Sequence, residues 1–203
     1  MMSMREVSRA FLGVFVAASL SLSVVGCGRY RLPLPPEDLA PSAVEGLVVT
    51  PSENAVAFAW MAVDKDRRGK ELKAAEGFSI ERKELVHRGD ETNPEVKFKR
   101  IGFLPDKHVE VRDKLRAEAR AAGKIGRTVK SPEELMKFSF VDSTPVKGKT
   151  YMYQIVPLNQ GGVEGQVAEL VKVVFQGAQS PVVKTLSKEL ADAAALTAMA
   201  APQ

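Results

Sequence analysis

The chain has 203 residues, with 29 Lys and Arg against 25 Asp and Glu. That length accommodates one domain of ordinary size with extensions, and an apolar share of 45% is enough to build a core. Its one cysteine, Cys27, and its two histidines, His87 and His108, all but exclude a disulfide framework, a structural zinc site and a Cys–His catalytic pair. The net charge of +4 is mild and spread among mixed signs, which argues against a nucleic-acid partner.

Arg5 and Arg9 give the chain a positive start, and residues 10–25 follow as an uncharged run of Ala, Val, Leu, Phe and Ser. This is the layout of a secretory signal. The run is on the short side for a helix crossing roughly 30 Å of hydrocarbon. It ends in Val24-Val25-Gly26-Cys27, which is similar to the bacterial lipobox: a branched apolar residue, two small or modest ones, then the cysteine that carries lipid. The resemblance implies that residues 1–26 are a removed signal peptide and that Cys27 ties the protein to a membrane. Gly28, standing where inner-membrane lipoproteins commonly have Asp, implies the outer membrane. Residues 27–42 contain Pro33, Pro35, Pro36 and Pro41 and read as an extended tether. At about 3.1 Å per residue it reaches roughly 40 Å at most.

From Ala43 onward short alternating runs predict strands. Leu47 and Val49 mark the first, ending at Pro51. Val56, Phe58 and Trp60 mark the second, Phe78 and Ile80 the third, and Val96, Phe98 and Arg100 a weaker fourth. Phe138 and Phe140 give the fifth, Tyr151, Tyr153 and Ile155 the sixth, and residues 167–175 the seventh. Seven short strands without regular intervening helices predict an all-β sandwich.

Trp60, the run Gly77-Phe78-Ser79-Ile80-Glu81-Arg82, and the closing segment resemble a fibronectin type III domain. That segment holds Phe140-Val141-Asp142-Ser143, Gly148, Tyr151-Met152-Tyr153-Gln154-Ile155, Asn159, Gly161 and Gly162. The resemblance covers residues 43–177 and implies an immunoglobulin-like sandwich of seven strands. Trp60, Phe78, Ile80, Phe140, Tyr151 and Tyr153 are its expected core, with Tyr151 as the tyrosine corner. Gly161 and Gly162 are expected to take the positive φ of a hairpin. Pro157 departs from the family pattern and predicts an early end or a bulge in the sixth strand.

Residues 105–137 are foreign to that family and predict a helical insertion between the fourth and fifth strands. Val111, Leu115 and Ala119 recur at helical spacing and form a narrow stripe, a candidate partner surface. Gly123 is a stop, and Ser131 is placed to cap a second helix through Pro132 and Glu134. Residues 178–203 form an Ala-rich tail in which Leu186, Leu190, Ala193 and Thr197 share one possible helical face.

Motifs for catalysis are sparse. No Gly-rich phosphate loop, serine elbow or metal-ligand spacing occurs. His87 and His108 read as surface residues, and Glu81, Glu84, Asp90 and Glu91 among basic neighbours read as a solvated edge. Arg88-Gly89-Asp90 reads as an ordinary polar loop. The expectation is a non-catalytic lipoprotein without cofactor or metal, holding a protein partner in the cell envelope. The alternative is a carbohydrate-contacting module, which would need exposed aromatic rings.

Overall fold

A computed structural model of the chain describes residues 33–189, 191 and 192. The expected signal peptide, Cys27, the first part of the tether, and Leu190, Ala193 and Thr197 lie outside the described residues.

Among the described residues eight strands build two sheets. They are β1 (Glu45–Pro51), β2 (Val56–Met61), β3 (Gly77–Leu85), β4 (Lys99–Pro105), β5 (Lys137–Asp142), β6 (Thr150–Leu158), β7 (Glu169–Val174) and β8 (Val182–Leu186). One sheet has the order β1-β2-β5 and the other β4-β3-β6-β7-β8, with every pairing antiparallel. Alternation dictates which side is buried. In β2, Val56, Phe58 and Trp60 turn inward while small Ala57 and Ala59 turn out.

Between the sheets lie Leu47, Val56, Phe58 and Trp60 from one side, and Phe78, Ile80, Tyr151, Tyr153, Ile155, Val171 and Val173 from the other. Trp60 meets Phe78 edge-on at 5.5 Å, and Phe78 meets Phe138 at 4.7 Å, both within the range where aromatic pairs attract. Phe140 is half-buried and packs against this cluster from its edge. Its ring lies where a side chain on Gly102 of β4 would be: a Cβ there would sit 2.4 Å from Phe140 Cε2. At this point the free edges of the two sheets approach each other, and glycine at residue 102 leaves the room that the ring occupies.

Several expectations are corrected. The fourth strand starts at Lys99, so Val96 and Phe98 precede it, and the Phe98 ring instead lies beneath the Lys83 ammonium at 5.2 Å. β6 does not stop at Pro157 but pairs with β3 through Leu158. Its pairing with β7 covers only Thr150–Tyr153, and the Pro157 carbonyl accepts from the Gly165 amide on that same side. The missing N–H thus falls beyond the last β7 partner, where no ladder bond is lost. The tail begins not as a helix but as β8, an eighth strand along β7, with a helical turn starting only at Ser187. The end of the expected tether is docked as well. Ala40 is fully buried, the Ala40 carbonyl accepts from Arg67 N–H, and Pro41 bridges to Asp66.

Antiparallel order sorts the connections into two ends. Residues 62–76, 106–136 and 159–168 gather at the end where the chain enters β1, and residues 52–55, 86–98, 143–149 and 175–181 gather at the opposite end.

Candidate functional site

The segment between β4 and β5 folds as α1 (His108–Ala121) followed by two 3-10 turns, Gly126–Thr128 and Glu133–Met136. Gly123, at φ +71°, closes the helix, its amide bonding the Arg120 carbonyl. Burial falls along α1. His108, Val109 and Arg112 are buried, while the last turn is largely exposed. Val111, Leu115 and Ala119, the expected partner stripe, are half-buried, so a partner would meet only part of each.

His108 is a correction, since it is fully buried and not at the surface. Asp106 explains it. One carboxylate oxygen accepts both the His108 backbone N–H at 2.9 Å and ring Nδ1 at 2.7 Å, folding the first turn of α1 over the imidazole. Nε2 of the same ring is buried without a hydrogen-bond partner among the described residues. Ser131 does not cap a second helix; its hydroxyl donates to the His108 carbonyl at 3.1 Å. Asp, His and Ser therefore sit close together, but the hydroxyl is spent on backbone and is not offered to the ring. Arg112 donates to the Leu72 carbonyl at 2.8 Å, and Arg116 pairs with Glu71 at 2.7 Å. The hydrogen bond from Arg116 holds the Glu71 carboxyl below its ordinary pKa. The helix is thus fastened to residues 62–76.

Across the sandwich, Asp142 is buried and fully engaged. It accepts from Arg82 at 2.7 Å, from the Thr144 hydroxyl at 2.7 Å and from the Tyr153 hydroxyl at 3.1 Å. Burial, with Asp142 beside it, pushes the Tyr153 phenol well above its ordinary pKa. Burial works against the Arg82 charge, yet Asp142 outweighs it and raises that pKa. Tyr151 accepts the Val146 amide at 3.1 Å through its hydroxyl and lies under the Arg82 guanidinium at 4.7 Å.

Residues 86–98 fold over the outer face of the five-stranded sheet. Asp90 is 6% exposed, and its carboxylate accepts from the Val86 and His87 amides and is held below its ordinary pKa chiefly by the His87 amide. Arg88-Gly89-Asp90 therefore presents no free carboxylate. Lys83 donates to the Asp90 and Glu91 carbonyls, and burial lowers its pKa. Glu81 binds Ser79 and Gln154. The expected solvated edge is instead a half-buried polar network, because the loop covers it.

Where β4 begins, a groove of about 540 Å³ is lined by Arg82, Lys83, Lys97, Lys99 and Arg100, with Glu84 as its one carboxylate. A second, of about 600 Å³, lies between residues 62–76 and α1 and mixes Arg112, Arg116, Arg127 and Lys130 with Asp64 and Glu71. Sequence reasoning missed both: the second collects residues distant in the chain, and the first forms only where residues 86–98 bring the start of β4 back beside the end of β3.

No protein-family model matches the chain, and no curated protein matches it. Solved structures give distant likenesses. The twitchin kinase region of C. elegans matches with TM-score 0.41 at 12% identity over 68% of this chain, which spans 17% of that one. The third fibronectin III domain of human KIAA0343 protein matches with TM-score 0.36 at 10% identity, over 74% of this chain and 92% of that one. The FN5 domain of Drosophila Lar matches with TM-score 0.29 at 14% identity, over 73% and 99%. At such scores the description of the fold rests on the strand order itself: a mainly β sandwich of two sheets.

Proposed function

We propose that this protein is a bacterial lipoprotein, anchored to the outer membrane through Cys27, whose fibronectin type III-like sandwich is a non-catalytic module that binds a protein partner in the envelope. The helix between β4 and β5 is read as an addition to that sandwich, and β8 as an eighth strand added at its edge. The anchor is supported by the sequence leading to Cys27. The choice of a protein over a glycan rests on one observation. Trp60, Tyr151, Tyr153, Phe58, Phe78 and Phe175 are buried, and among the described residues Phe103, at 40%, is the one exposed aromatic ring. One ring is no platform for a sugar chain. The non-catalytic reading is supported by Asp66, Asp90, Asp106 and Asp142, four buried carboxylates each satisfied by neighbouring donors.

Two measurements test this. Cys27→Ala should abolish labelling by a fatty-acid probe and release the protein from the membrane fraction; unchanged labelling would remove the anchor. Crosslinking in intact cells should capture a protein, and recovery of glycan alone would favour a carbohydrate-contacting module.

A further inference from the structure

We propose that the basic groove beside the start of β4 docks an extended, carboxylate-rich segment of the partner protein. The proposal rests on the protein-binding reading and names the chemistry recognised. Charge comes first. Five cations line the groove against Glu84, which is already bridged to Lys149 at 2.8 Å. Arg82 is committed to Asp142 and Lys83 to loop carbonyls, but Lys97 and Lys99 are exposed and pair with no carboxylate among the described residues. Among the described residues the Arg100 guanidinium donates only to the Ser79 hydroxyl. A like-charged cluster of this kind repels itself, and an acidic ligand relieves that repulsion.

Backbone comes second and selects an extended peptide over a compact anion. β3 pairs with β6 as far as Leu85, yet its pairing with β4 ends at Arg82. Lys83, Glu84 and Leu85 therefore have a neighbouring strand on one side only, and β4 is itself the outermost strand. The cations thus flank a notch in a sheet edge, where an added strand gains main-chain hydrogen bonds while its acidic side chains meet Lys97, Lys99 and Arg100. The groove lies at the end of the sandwich opposite to where the chain enters β1.

The test uses the chain from Gly28 onward, which keeps every core residue described, since these begin at Ala40. An octapeptide of alternating Glu and Val should bind and shift the backbone amide signals of Lys83, Glu84 and Leu85. Its Gln-for-Glu counterpart should bind about tenfold more weakly or not at all. Lys97→Gln with Lys99→Gln should weaken the acidic peptide by a similar factor, and Lys124→Gln with Lys130→Gln, at the opposite end, should not. Equal binding by both peptides, or by the Lys97/Lys99 variant, would overturn the proposal. Preference for oligogalacturonate or inorganic phosphate over the peptide would overturn it too. No lipid enters the measurement, so failure of the anchor leaves it untouched. A crosslinked partner retained by the Lys97/Lys99 variant would sink the groove and spare the binding-module reading.

Discussion

Tyr153 gathers the consequences of burial on a single side chain. It is 1% exposed and its hydroxyl donates to Asp142, so ionising it in the folded protein would place a second negative charge beside the first. Its folded pKa is therefore raised. A raised acid contributes stability that is complete below the unfolded value, near 10, and is lost as pH climbs past it. Denaturant unfolding at pH 9, 10 and 11 should show stability falling by up to about 1.4 kcal/mol per pH unit at the top of that range. Tyr153→Phe should flatten the fall, and an unchanged slope in that variant would place the titration elsewhere. The inward set of Trp60, Phe78, Ile80 and Tyr153 could be read from alternation because a large residue at every second position has one way to face. His108 could not. Its burial depends on Asp106 two residues earlier catching both its amide and its ring, and Asp-Lys-His offers only a weak local hint of that.

Strand identity was legible where periodicity was long, and failed where a proline or a loop intervened. The Val96–Phe98–Arg100 alternation reads as a strand, yet Val96 and Phe98 belong to the loop crossing the outer sheet face. β8 was hidden because Val182-Val183-Lys184-Thr185-Leu186 is short and precedes a tail rich in helix formers. It nonetheless covers the edge of β7 over five residue pairs, and Lys184 reaches the Leu47 carbonyl of β1, tying the two sheets at that edge. A chain ending at Ser180 should fold but expose β7 as an unpaired edge, which invites pairing between molecules. Sedimentation should then show concentration-dependent association and a lowered denaturant midpoint. A monodisperse monomer of unchanged stability would show β8 to be incidental.

At the scale of the whole molecule, the sandwich and the helical segment are separate packing problems. The central core draws no residue from positions 106–136. α1 instead docks on residues 62–76, where Leu72 is 2% exposed, and is held there by Arg112 on the Leu72 carbonyl and by Glu71 on Arg116. The sequence suggested a surface helix with a free stripe, because nothing local reveals that residues 62–76 rise to meet it. The consequence is measurable. Replacing residues 106–136 with a short Gly-Ser linker should leave both sheets paired, since closing a shorter flexible connection costs no more entropy than closing the longer one. It should also remove the buried Arg112 bond to the Leu72 carbonyl, at about 1.5–3 kcal/mol, or roughly 3–12 °C in Tm for a domain of this size. Hydrogen exchange should quicken at the Leu72 amide, which bonds the Asp64 carbonyl, while Ile80 and Ile155 in the paired strands stay protected. Global loss of protection would make α1 part of the folding core. An unchanged Tm would mean that its docking adds nothing to stability, leaving the exposed end of the helix as its reason for being there.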